Sequence, residues 1–360
     1  MYNWFFICYF LIMMLSWFFC FFENKLTKRT KKILILFFIL ILSSLMAIRP
    51  ETVADTGNYI KIYNQVSELD MNEFHFGKRF EGIEYAFAWI MKGFSYFFAT
   101  PRAFFFVCAI STSMLLMYGF CSCEKYINPE KEPHIFPTWT LFLCYFGLHY
   151  CGIAIRGGVS IGLGMCAMAY ALHKKKVRAF VFFVASICIH SISILFLVIY
   201  IIIFIFPRVG KEYYILIWNL LFLCLFFNIG KIGISSGSEI LLSLFLRIGI
   251  QGFDGYLSRM DFNVGITDWY MLCVTGLILL CGFRKNEHAA QFQKVVLVGL
   301  IIISVAYPIR AINRAYDYFL FFLVPLIASC FAIEGHEKKK VLLWLYMPLM
   351  FVVQFKMCYF

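Results

Sequence analysis

Apolar runs of 15 to 20 residues recur along the whole chain. Residues 33–48, "ILILFFILILSSLMAI", are one such run. About 20 apolar residues in a helix cross the hydrocarbon core of a bilayer. A water-soluble fold cannot hide so many segments of this kind. The composition agrees, at 62% hydrophobic and 14% charged, and points to an integral membrane protein. Spans are expected near 3–22, 33–48, 102–121, 137–151, 154–172, 179–189, 191–206, 213–229, 267–283, 294–308, 316–333 and 341–357. The first lacks a basic n-region and a small-residue cleavage site, so it is expected to be retained rather than removed as a signal peptide.

The run 179–206 is broken only by "IHSIS", and it reads as one long helix or as two short ones turning at His190. Charge arbitrates. With two helices and "NKLTKRTKK" in the cytoplasm, 19 of the 32 basic residues and 8 of the 20 acids lie inside. Every strong basic cluster then obeys the positive-inside rule. With one helix, "FRK" and "EKKK" would fall outside. The expected fold is therefore an all-α polytopic membrane protein with about twelve spans and both termini outside, a single membrane domain over 1–360. The net charge of +12 belongs to these loops, so nucleic acid is not an expected partner. The 14 cysteines are scattered, mostly inside apolar runs, without a CxxC framework. They read as reduced, buried small hydrophobes.

Two outer loops are long: 49–101 and 230–266. In the first, Tyr85, Trp89, Phe94 and Phe97 alternate at helical spacing with Glu84, Lys92 and Ser95, the pattern of an interfacial helix. In the second, "SEILLSLFLRIGI" is a further interfacial candidate. No internal repeat is visible. Chemistry is expected on the side with the long loops.

Ionisable groups at membrane depth cost at least ~2.5–3.5 kcal/mol unless paired or wet. Four places stand out. In "RPETVADTGNY", Arg49, Asp55 and Tyr59 follow a span; Asp55 reads as a base, as an orienter of an arginine, or as a helix cap. In "CGIAIRGGVSIGLG", Arg156 opens a span, either binding anions or snorkelling to headgroups. Gly158 and Gly162 have the spacing of close helix contact. The stretch is not a dinucleotide fingerprint. His190, with Ser191 and Ser193, reads as a base, a phosphate donor or a structural histidine. In "AYPIRAINRAYDYF", Arg310 and Arg314 share a helix face, with Asp317 a turn on. They read as a fork for phosphate oxygens, or as an Arg314–Asp317 pair with snorkelling. No P-loop, HExxH, Cys/His metal spacing or G-x-S-x-G is present.

With those residues in place, the chain resembles the EpsG-type and Wzy-type polymerases of bacterial surface polysaccharides. The likeness is carried by Arg49, Asp55 and Tyr59 after the second span, by "IRGGVSIGLGMCAMAYALHKKKVRAFVFFVASICIHSISILFL", and by "RAINRAYDYFLFFLVPL". It departs at Ala54, where members often have Gly, and at Gly157, where many have Gln. The resemblance implies a GT-C-like glycosyltransferase of the bacterial inner membrane, working on its periplasmic face. Such an enzyme joins oligosaccharide units carried on undecaprenyl pyrophosphate. Asp55 and His190 would then be the candidate bases, with Glu81 and Glu84 in reserve. Arg49, Tyr59, Arg156, Arg310 and Arg314 would hold pyrophosphate and sugar. The arginines supply the cations that a departing pyrophosphate needs, without a metal or other cofactor. Implied partners are the lipid-linked oligosaccharide, the bilayer, a chain-length regulator and a flippase. Competing readings are the ligase that moves finished polysaccharide, a flippase for the lipid-linked units, and a non-catalytic assembly component.

Overall fold

A computed structural model describes residues 3–70, 79–80, 83–206, 210–229, 286–306 and 310–331, with helical positions at 269, 272, 273 and 276. The expected loop 230–266, most of the span 267–283, the span 341–357 and Glu81 lie outside the described residues. The described chain is almost entirely helical. Helices α2 (Lys28–Ala47), α5 (Pro101–Ile127), α7 (Ile155–Leu172) and Glu287–Val305 within α11 (Glu287–Ala306) are long and apolar enough to cross a membrane. Shorter apolar helices are α1 (Asn3–Cys20), α6 (Ile135–Phe142), α9 (Leu195–Phe204), α10 (Lys211–Phe226) and α13 (Leu323–Cys330). Large apolar side chains stand exposed on these helices, among them Leu11, Leu36, Phe37 and Leu220. Faces of that kind need a lipid solvent. The protein is an all-α membrane protein.

The chain forms two compact units: Met1–Phe196 with Ala328–Phe360, and Leu197–Ile327. In the first unit, α5 is the central helix. It runs antiparallel to α2, since Arg49 meets Phe105 while Ile39 and Met117 line one groove nearer the other end. It also runs antiparallel to α6 and the chain that continues it, with Phe120 against Phe142 and Ser113 against Cys151. Against α7 it is parallel. There Gly158 meets Thr112, Gly162 meets Leu115 and Gly119 meets Met165. A Cβ on Gly158 would lie 2.2 Å from the Tyr150 carbonyl oxygen. The small-residue spacing in the sequence thus brings α5 and α7 into contact, as expected.

Helix ends are satisfied by particular side chains. Thr27 caps α2, its Oγ1 accepting the Thr30 N–H at 3.2 Å. Glu23 accepts the N–H groups of Ile135 and Phe136 at 3.1 and 3.2 Å, so a carboxylate sits on the positive end of α6. Beyond α6 the backbone continues through two π-helical stretches, Leu143–Gly147 and His149–Ile153. Ala154 then breaks it (φ −89°, ψ 57°), and α7 begins. At the other end of α7, Lys174 is left-handed (φ 59°). Lys175 N–H reaches back to Tyr170 O at 2.9 Å, closing the helix before α8 (Lys176–Ile189).

The run 179–206 is two helices. His190 is extended (φ −152°, ψ 111°), ending α8, and a 3-10 turn over Ser191–Ile194 leads into α9. Direction also reverses at this point. Along α8, Phe182 and Ser186 pair with Tyr170 and Ser160, antiparallel to α7. After the turn, Ser193 and Phe196 meet Ser160 and Gly164, parallel to it.

These directions sort the first unit into two ends. Lys28–Lys32, Lys125, Lys131 and Lys174–Lys176 gather at one. Arg49, Arg156 and His190 gather at the other, where the loop 49–101 folds. That loop is structured throughout its described part. It holds α3 (Thr56–Glu68), a short antiparallel hairpin (β1, Arg79–Phe80; β2, Ile83–Glu84) and α4 (Tyr85–Ser95). Tyr59, Tyr63 and Val66 of α3 and Phe87, Ala88 and Met91 of α4 pack on Phe104, Phe105, Ile155 and Ile189. Past α4, Tyr96, Phe97 and Phe98 are exposed, Phe97 at 83%, as suits a membrane-surface segment.

Candidate functional site

Glu84 lies at the centre of the site. It ends β2 and precedes α4, so the hairpin and the packing of α4 fix its backbone. Its Oε2 is 2.8 Å from Nη1 of Arg156. Its Oε1 accepts from His190 Nδ1 at 3.1 Å and from both N–H and Oγ–H of Ser191 at 3.0 Å. Burial would push this carboxyl up. The His190 hydrogen bond, the Ser191 N–H and the Arg156 charge outweigh burial and bring it down to about 2. Glu84 is therefore an anion across the neutral range, engaged on both oxygens. It organises the site rather than removing a proton.

The consequence for His190 is a defined tautomer. Nδ1 carries the proton donated to Glu84, which leaves the Nε2 lone pair as acceptor. The imidazole is a quarter exposed, with side-chain exposure of 25%. A carboxylate-held, partly exposed imidazole is the arrangement of a general base.

Arg156 occupies the first turn of α7 and is 18% exposed. Tyr59 lies beside it, buried to 8%. Burial, then the opposing pull of Arg156, then the Asp55 charge set the phenol, which is raised to about 12. It stays protonated, and its ring meets Phe87 edge-on at 6.4 Å. Asp55 is half-buried and left-handed (φ 62°) at the start of α3, with no side-chain cap bond.

Arg49 is fully buried. Nε donates to Thr56 Oγ1 at 2.8 Å, Nη1 donates to Met46 O at 3.1 Å, and the guanidinium stacks on Phe105 at 4.0 Å. Burial lowers it to about 10, which still leaves it a cation at neutral pH. Arg102 reinforces this corner, donating from Nη1 to Ala47 O at 3.2 Å and Arg49 O at 2.5 Å.

The structure thus brings Arg156, His190 and Ser191 together on Glu84, with Tyr59 beside Arg156 and within the field of Asp55. Arg310 and Arg314 lie four residues apart on α12 (Arg310–Leu320), in the second unit, and their side chains are outside the described residues. Sequence reasoning held Glu84 only in reserve and gave Ser191 no role of its own. The one available signal was an acid at the head of an amphipathic stretch in a long outer loop. Among the described residues, no group of three or more His, Cys, Asp or Glu side chains converges as metal ligands.

A profile of the EpsG family matches residues 32–360. The chain belongs to the EpsG family. The match runs from Lys32, inside α2, to Phe360, so it includes every residue of the cluster around Glu84. No curated protein and no solved structure matches the chain. Membership supports a role in polysaccharide biosynthesis, of the membrane polymerase type, for this EpsG-family protein.

Proposed function

We propose that the protein polymerises oligosaccharide repeat units carried on undecaprenyl pyrophosphate, at the periplasmic face of the bacterial inner membrane. The reading includes twelve spans and a GT-C-like arrangement, with the Glu84 end of the first unit outside. The acceptor hydroxyl attacks the anomeric carbon of the donor and gives its proton to Nε2 of His190. The bond to the glycosidic oxygen of the pyrophosphate breaks, and its electron pair leaves with undecaprenyl pyrophosphate. Glu84 stabilises the imidazolium that forms. Arg156 meets the developing charge, because a guanidinium suits phosphate oxygens. Asp55 orients the acceptor hydroxyl. Tyr59 positions the Arg156 turn. Arg49 is a positioning residue that holds the turn carrying Asp55. Arg310 and Arg314 are assigned to the leaving group on their sequence pattern.

The observation that carries this reading is the pairing of His190 and Arg156 through one carboxylate, in a chain of the EpsG family. It is tested by deleting the gene and resolving surface glycolipid on a gel. Lipid capped with single repeat units is the expected product. Complete loss of capped lipid would overturn the polymerase reading in favour of a ligase or flippase.

A further inference from the structure

At the end of the first unit away from Glu84, a groove of about 570 Å³ runs between α2 and α5. Its walls are Ile35, Leu36 and Ile39 from α2 and Met114, Met117 and Tyr118 from α5. Leu36, Met114 and Tyr118 are 45%, 51% and 46% exposed, so the groove opens sideways along the apolar surface. Lys28, Lys31 and Lys32 stand at its end, one face of the first turn of α2.

That placement runs against the helix. The start of a helix already carries about half a positive charge, so cations placed there are disfavoured by the helix itself. The first turn of α2 contains no acid. Two carboxylates offset the lysines in part: Glu132, also lining the groove, accepts from Lys28 at 3.1 Å, and Glu23 from Lys31 at 2.9 Å. Lys32 is exposed and makes no ion pair among the described residues. The lysines outnumber the carboxylates here, which leaves an excess of positive charge beside an apolar slot that opens along the lipid-facing surface.

We propose that this groove binds an acidic phospholipid, its phosphodiester at Lys28, Lys31 and Lys32 and an acyl chain between α2 and α5. The excess positive charge suits an anionic headgroup, and a zwitterionic one leaves it uncompensated. The apolar walls select an amphiphile over a free anion. The groove lies at the opposite helix ends from Arg156 and His190, so it is a second site.

The full-length protein, purified in detergent, is mixed with equal amounts of phosphatidylglycerol and phosphatidylcholine of identical chains, and retained lipid is counted by native mass spectrometry. Phosphatidylglycerol is expected to be kept roughly tenfold over phosphatidylcholine, the size of one charge-assisted hydrogen bond. Lys28→Ala with Lys32→Ala, which touches only an exposed pair and an exposed side chain, is expected to abolish that preference. Met114→Trp fills the groove without altering charge and is expected to lower retention of phosphatidylglycerol as well. Equal retention of both lipids, or unchanged retention in both variants, would overturn the proposal. So would displacement of phosphatidylglycerol by millimolar inorganic phosphate, which would reveal a simple phosphate site.

Discussion

His190 Nδ1 lies 3.1 Å from Glu84 Oε1, joining residues 106 apart in sequence. The contact fixes which ring nitrogen is protonated, and so gives Glu84, which sequence alone holds only as a reserve base, the task of holding His190. His190→Ala is expected to reduce polymerisation by about 10²–10⁴-fold, the usual worth of a positioned base. Glu84→Gln keeps a hydrogen-bonding side chain but removes the charge that stabilises imidazolium. It is expected to lower kcat by about tenfold or more with little change in KM, the signature of a group acting on the transition state. Steady-state kinetics on purified protein with a lipid-linked donor would show this. A Glu84→Gln enzyme that changed only KM would remove the positioning role.

The same carboxyl makes a pH-dependent contribution to stability. Its folded value, about 2, lies below its ordinary value of 4.5. The contribution is therefore complete above 4.5 and disappears as pH falls through about 2. Below about 4.5 the difference in thermal midpoint between wild type and Glu84→Gln should shrink as pH falls. A difference that grew as pH falls from about 4.5 towards 2 would contradict the assignment.

Arg49 is expected to act on folding rather than on substrate. Its guanidinium is enclosed by Phe105, Thr56 and Met46 O. Thr56→Val keeps the shape and removes the acceptor for Nε. It should cost about 1–3 kcal/mol, the penalty of leaving a buried donor unsatisfied. Phe105→Leu should cost a comparable amount by removing a desolvated cation–π contact worth ~2 kcal/mol. Both are measured as lowered thermal midpoints, with KM for the donor unchanged in the folded fraction. A raised KM at wild-type stability would return Arg49 to the substrate.

The parts of this architecture legible in sequence are those governed by local pattern. The run ending at Ala47, the helix after Glu84 and the close contact at Gly158 and Gly162 each follow from periodicity or spacing. The break at His190 was reached through charge balance, because only a turn there keeps every basic cluster on one side. What pattern could not show was pairing. Glu84 meets Arg156 and His190 across long stretches of chain, and no local rule selects it over Asp55. The burial of Arg49 was hidden for a similar reason, since its cover comes from Phe105 on another helix. The π-helical stretch over Leu143–Ile153 was equally silent, because α and π turns share one apolar composition.

Adjacent glycines at the start of α7 should respond oppositely to the same substitution. A Cβ on Gly157 would sit 3.5 Å from the Tyr150 ring, an ordinary contact. Gly157→Ala should stabilise by about 0.5–1 kcal/mol through reduced backbone entropy in the unfolded chain. A Cβ on Gly158 would lie 2.2 Å from Tyr150 O and 3.0 Å from Thr112. Gly158→Ala should cost at least about 1–3 kcal/mol, because backbone must move. Thermal midpoints of the two variants decide the matter, and equal effects would refute the tight α5–α7 seam.

The proposed pyrophosphate fork makes a prediction about chemistry that charge alone cannot satisfy. Arg310 and Arg314 are four residues apart on α12, hence on one face of that helix. If both bind pyrophosphate oxygens, lysine should not replace them, because an ammonium is a point charge without the planar fork. Arg310→Lys and Arg314→Lys should each lose about tenfold or more in kcat/KM for a lipid-pyrophosphate donor, roughly one charge-assisted hydrogen bond. The double variant should lose less than the product of the single losses, because neighbours on one ligand are not independent. The comparison is made on purified, correctly inserted protein. Full activity in both lysine variants would leave only a need for positive charge, as lipid headgroup anchoring requires, and the two arginines would drop out of the proposed site.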